Sequence, residues 1–173
     1  LALSEYPNEI KAKITGKGCV SVQAEVNYHL DTAAALEDLR LDIDLKPANQ
    51  RFKCSVIILK PCVSYTGVGQ INMAIVEVNM PSGYAPDQAS FLSFNIDNDS
   101  GVKKFEIIRN QVVFYLTNLS ANKVCLPFTI EENLVVENVA NATVKFYDYY
   151  KPEVSISKSF KAEDCEVNIN VPA

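Results

Sequence analysis

Between residues 20 and 28, Val20, Val22, Ala24, Val26 and Tyr28 alternate with Ser21, Gln23, Glu25 and Asn27, so one face is apolar and the other polar. A period of two predicts a half-buried antiparallel strand within residues 10–28. Leu39, Leu41, Ile43 and Leu45 alternate in the same way with Arg40, Asp42 and Asp44 and predict the next strand, while residues 47–50 (PANQ) read as a loop. The stretch from Phe52 to Tyr65 is long and apolar with Pro61 inside it; proline donates no ladder hydrogen bond, which predicts a bulge or an edge position there. Residues 71–80 carry apolar groups on both faces, as a central strand covered on both sides would. Further strands are predicted at about 102–109, 111–117, 124–131, 134–138, 142–150 and 154–160, with Asn110 parting a hairpin.

One stretch departs from this succession. After the 71–80 strand, Pro81-Ser82-Gly83-Tyr84 turns the chain, Pro86 suits a first helical turn, and Asp87 suits the positive end of a helix dipole. Ala89, Phe91, Leu92 and Phe94 then form an apolar stripe, predicting a helix of two to three turns that must pack on a sheet to be stable. Repeated short strands with turn signals every eight to twelve residues, and this single helix in a crossover, predict an all-β class: an antiparallel β-sandwich. A chain of 173 residues with 48 % apolar content supports one main core. Gly16 and Gly18 mark a break, so by pattern residues 1–15 are either the end of a preceding unit or an N-terminal edge strand of the same sandwich.

Charge and chemistry narrow the function more than they define it. Sixteen basic residues against 21 acidic ones give a net charge of −5, with no basic run longer than Lys103-Lys104, which excludes a nucleic-acid footprint and a polybasic membrane patch. No apolar run approaches the roughly 20 residues that cross a bilayer, so membrane insertion is not expected. One histidine, His29, and no C-x-x-C pair argue against a metal centre, and no cofactor-binding motif stands out. Asp148 lies among aromatic residues without a histidine or second acid in a catalytic spacing, so it is expected to bond backbone rather than to act as an acid or base. An enzyme is not expected. Cys19, Cys54, Cys62, Cys125 and Cys165, together with N-x-S/T sequons at Asn98, Asn118 and Asn141, point to an oxidising, extracellular compartment and a secreted protein. An odd cysteine count leaves one thiol free or paired outside the chain.

Residues 72–86 (NMAIVEVNMPSGYAP), 112–120 (VVFYLTNLS) and 144–153 (VKFYDYYKPE) resemble the receptor-binding domain of the alpha-macroglobulin family, which includes alpha-2-macroglobulin, insect thioester-containing proteins and CD109-like proteins. The likeness runs over roughly residues 18–165, which implies the receptor-binding domain over residues 18–173 and, in residues 1–17, the end of a preceding, CUB-like domain or a linker strand. It implies a Cys54–Cys165 bridge, a Cys62–Cys125 bridge of the insect and CD109-like branch, and a Cys19 paired to a cysteine outside this chain. Loops of this size contribute on the order of 4–5 kcal/mol each under the chain-entropy model. It also implies a non-enzymatic role in a secreted protease trap or immune opsonin. The partners it implies are a clearance receptor of the low-density-lipoprotein-receptor-related class and the thioester domain of the parent.

The family's receptor contact uses two lysines one turn apart on the helix after S-G-[FY]-x-P; the matching positions are Gln88 and Leu92, neither charged. That departure counts against docking to such a receptor. Lys103 and Lys104 are the nearest substitute cations, and an adjacent pair on a regular strand points to opposite faces. Phe91, Leu92 and Phe94 are expected to pack in the core; the alternative, with Leu92 in place of a lysine, is that this face presents an apolar contact to another domain of the parent. The competing expectation is a structural or adhesive β-sandwich with no receptor role.

Overall fold

The structure is a computed structural model that describes residues 13, 15–17, 38–49, 53–93, 101–137 and 139–166. The chain separates into two compact units, Leu1–Asp31 and Thr32–Ala173, and every element below belongs to the second. The strand expected within residues 10–28, Cys19, His29 and the Asn98 sequon lie outside the described residues, and the expected boundary at residue 17 falls where only Lys13, Thr15, Gly16 and Lys17 are described.

Alternation sets the strands, and each one's apolar face turns inward. β1 (Leu39–Pro47) buries Leu39, Leu41 and Leu45 while Arg40, Asp42 and Lys46 stay out. A 3-10 turn, η1 (Lys53–Ser55), leads into β2 (Val56–Tyr65), which pairs antiparallel with β1 from Ile57 opposite Pro47 to Tyr65 opposite Leu39. Next come β3 (Ile71–Asn79), the short β4 (Tyr84–Pro86), the 3-10 helix η2 (Gln88–Ser93), β5 (Val102–Ile108) and β6 (Gln111–Leu119). After these the chain forms β7 (Val124–Cys125), β8 (Phe128–Glu132), β9 (Ala142–Asp148), β10 (Lys151–Phe160) and a last 3-10 turn, η3 (Ala162–Glu166).

Two antiparallel sheets result. One runs β1-β2-β8-β4 with β7 beside the far end of β2; the other runs β10-β9-β3-β6-β5. Their inner faces share one core, with Ile57, Leu59, Phe128 and Ile130 from the first sheet and Val76, Phe114, Leu116 and Phe146 from the second. The fold is therefore the expected antiparallel β-sandwich.

Pro61 lies on neither an edge nor a free end. β2 is central, with β1 along one side, and on its other side β8 stops at Leu59 and β7 starts at Cys62. The missing N–H falls in that gap, where the Pro61 carbonyl accepts the Leu126 amide at 2.8 Å. The continuous strand expected at 124–131 is thus two strands, interrupted opposite the proline. Of the strand expected at 134–138, the described residues 134–137 form none: the amides of Asn133 and Leu134 both go to the Gly83 carbonyl, which takes the chain off the sheet. The helix in the crossover is a six-residue 3-10 helix, not two to three α-turns.

β3 is central, as its apolar faces predict. Val76 and Val78 enter the core, and Ile75, on the outer face, is covered by Tyr115 and Tyr147, the residues opposite it on β6 and β9.

Candidate functional site

The crossover from one sheet to the other is built residue by residue from the S-G-Y-x-P stretch. The Tyr84 amide closes the turn on the Pro81 carbonyl at 3.1 Å, and Gly83 holds a φ of +85°, a left-handed conformation that a side chain disfavours. The glycine also gives room: a Cβ there would run into the Leu134 carbonyl oxygen. The Tyr84 hydroxyl donates to the Cys54 carbonyl at 3.0 Å and ties β4 to η1; burial raises its pKa, with Glu132 and Glu163 adding to the shift.

Pro86 ends β4 opposite Ile130 rather than opening a helix. Asp87 caps η2 instead: its carboxylate accepts the Ala89 amide at 2.9 Å, and its carbonyl accepts the Ser90 amide and hydroxyl. Ser90 Oγ in turn accepts the Thr129 amide at 3.1 Å, and the Asp87 amide donates to the Thr129 carbonyl at 2.9 Å, so η2 is stitched to β8. Phe91 fills the sandwich edge, its ring 4.9 Å from Phe105 and 5.1 Å from Phe128. Gln88 and Leu92 are left outside, Leu92 with 89 % of its surface exposed. A 3-10 helix turns about 120° per residue, so positions four apart diverge, where an α-helix would stack them. Gln88 and Leu92 therefore share solvent exposure but not one helical stripe.

Beyond η2, the β5–β6 register slips between Val102 and Lys104. Such a bulge re-aims side chains, and Lys103 and Lys104 are both exposed instead of pointing to opposite faces. Lys104 is already engaged. Its ammonium donates to Glu106 Oε1 at 2.9 Å and stands 4.3 Å from the centre of the Tyr115 ring, while Tyr115 donates to Glu106 Oε2 at 2.8 Å. These bonds hold the Glu106 carboxyl below its usual range and raise the Lys104 and Tyr115 values.

The pattern continues across the outer face of the second sheet. Tyr147 donates to Glu77 Oε1 at 2.7 Å with Lys145 5.0 Å from its ring centre. Burial, reinforced by the bond to Glu77, pushes the Tyr147 phenol up to about 12. Tyr149 and Tyr150 project at the β9–β10 turn, edge to face at 5.2 Å. From sequence Tyr147, Tyr149 and Tyr150 are candidate rim residues of a contact, but the platform that Tyr147 makes with Tyr115 is not evident. Its signal was Glu77, the charged residue of β3, which marks the outward face on which the tyrosines stand.

Asp148 accepts the Tyr150 amide at 2.9 Å and so shapes that turn. Cys54 is joined to Cys165, linking η1 to η3, and Cys62 to Cys125 directly across from it on β7. Asn118 sits on β6 with a φ of +54°, its amide oxygen 3.4 Å from Gln70 Nε2, and Asn141 is exposed just before β9. Among the described residues there is no group of three side chains placed to hold a metal ion, and no helix long and apolar enough to cross a membrane.

Two packed sheets, one disulfide within the first sheet and one between η1 and η3, and a capped crossover beside a polar-aromatic outer face define a disulfide-bonded β-sandwich module. Residues 69–161 match the A-macroglobulin receptor binding domain, and Ovostatin of Gallus gallus is 31 % identical over 157 residues, which is 87 % of this chain and 10 % of that protein. The chain belongs to the alpha-macroglobulin family and contains its receptor-binding domain. It spans about 10 % of the length of this relative.

Proposed function

We propose that this domain serves a secreted, thioester-type macroglobulin as a non-enzymatic docking module. Its first partner is the thioester domain of its own parent, and docking shields that bond until the parent is cleaved. The observation that carries this reading is Leu92, a large apolar side chain set almost wholly in solvent on a helix fixed by Asp87 and Ser90. A cation-dependent receptor contact has less to work with. Gln88 and Leu92 are uncharged, and Lys104 is committed to Glu106 and Tyr115, which leaves Lys103 as a cation without a partner among the described residues of the shoulder formed by η2 and the start of β5. The two disulfides and the absence, among the described residues, of a membrane-crossing helix agree with secretion.

The test is a titration of this domain against the parent's isolated thioester domain and against a calcium-loaded receptor of the low-density-lipoprotein-receptor-related class. Burying a leucine contributes about 1.5–3 kcal/mol, so Leu92→Asp is expected to weaken the thioester-domain complex at least about tenfold. Lys103→Ala with Lys104→Ala is expected to leave that complex unchanged. Tight, calcium-dependent receptor binding abolished by the double lysine variant would overturn the reading.

A further inference from the structure

We propose that Asn141 is the acceptor of an N-linked oligosaccharide, attached before β9 is sealed into its sheet; the proposal rests on the secretory reading above. The Asn141-Ala142-Thr143 sequon straddles a loop-to-strand junction. Asn141 is exposed in the loop, Ala142 is buried opposite Phe160, and Thr143 lies opposite Ser159 with its hydroxyl accepting from Asn79 Nδ2 at 3.0 Å. In the folded domain the acceptor amide thus faces solvent and accommodates a sugar, whereas the threonine hydroxyl that a transferase must read is occupied.

Chain order resolves the conflict. At Ala142 and Thr143 the ladder partner of β9 is β10, and β3, which carries Asn79, joins β9 only through residues 144–148; both pairings use residues that follow the sequon in the chain, so the Asn79 bond to Thr143 forms only after those residues have emerged and docked. The sequon therefore stays unpaired while the chain emerges. The Asn118 sequon differs, because both neighbours of β6, namely β3 and β5, precede it in the chain and can pair with it at once.

In the transfer, Asn141 Nδ2 bonds to the anomeric carbon of an oligosaccharide carried on a polyisoprenyl pyrophosphate. The carbon–oxygen bond to the pyrophosphate breaks, the lipid pyrophosphate leaves with the electron pair, and Nδ2 gives up one proton. No oxidation or reduction is involved. Asn79, opposite Gln111 and bonded to Thr143, places the sugar at the end of the second sheet that holds the Arg109–Asn110 turn, and the Tyr149–Tyr150 turn at the other end stays uncovered.

The experiment is glycopeptide mass spectrometry of the full-length parent recovered from the medium of animal cells that express it, with enzymatic release converting an occupied Asn141 to Asp. Asn141 is expected to be occupied in most molecules and more fully than Asn118. Asn141→Gln and Thr143→Ala each lose one glycan, while Thr143→Ser and Asn79→Ala keep it, since both retain the sequon. An Asn141 unmodified in secreted parent overturns the acceptor assignment and leaves the secretory reading standing; a parent confined to the cytosol overturns both. Folded, unglycosylated protein offered to the transferase with its lipid-linked donor is expected to stay unmodified at Asn141, and modification there would overturn the timing.

Discussion

Tyr147 shows how a single side chain joins fold to surface. Its ring covers Ile75 on the outer face of β3 while its hydroxyl reaches Glu77, so the neutral phenol is favoured by burial first and by the hydrogen bond second. The folded value of about 12 lies above the ordinary tyrosine value of about 10. A raised value stabilises the protonated fold, so the contribution is complete below about pH 10 and is lost as pH rises through about 12. Following tyrosinate absorbance of the folded domain should show a late-ionising phenol that Tyr147→Phe removes, together with a smaller loss of stability between these pH values in the variant. A Tyr147 that ionises with the exposed tyrosines would contradict the bond to Glu77. None of this was legible from sequence, because a period of two says which residues share a face but not which polar group an outward tyrosine meets.

At the scale of elements the sequence was most legible where alternation was strongest. β1, β6 and β9 fall where their patterns put them, since slipping any of these strands by one residue would turn its apolar set to solvent, and β3 falls where its two-sided apolar run puts it. Legibility failed where tertiary hydrogen bonds overrode composition. Leu134, Val135 and Val136 have strand-forming side chains, yet Gly83 draws the preceding amides away and leaves Leu134 and Val135 exposed. The apolar stripe after Pro86 suggested α-turns, but Ser90 is held by Thr129 on β8, and Phe91 alone of Phe91 and Leu92 reaches the core.

Gly83 is the joint that makes both outcomes possible. Gly83→Ala imposes the left-handed penalty of about 1–2 kcal/mol and a collision with the Leu134 carbonyl, so denaturant unfolding should show a loss of at least about 2 kcal/mol. A loss within a few tenths would mean that the turn and the 133–134 segment are not coupled as described. The crossover was recognisable as a special stretch from its residues; that its glycine is required by a neighbouring loop was not, because that loop lies some fifty residues downstream.

For the whole molecule, the domain presents two unlike surfaces: the η2–β5 shoulder with Leu92 and Lys103, and the tyrosine-covered face of the second sheet, over which Lys104 folds onto Tyr115. A free domain leaves the shoulder in water, whereas a docking module inside its parent covers it. The resemblance to macroglobulins located this shoulder through Gln88 and Leu92, and the structure adds that Lys104 is tied to its own strand. Hydrogen exchange of the intact parent, compared before and after proteolytic activation, separates the two states directly. Amides of residues 88–93 and 102–104 should be protected in the intact parent and should exchange as fast as those of the isolated domain after cleavage. Equal exchange in intact parent, cleaved parent and isolated domain would show that nothing covers the shoulder and would contradict the docking role.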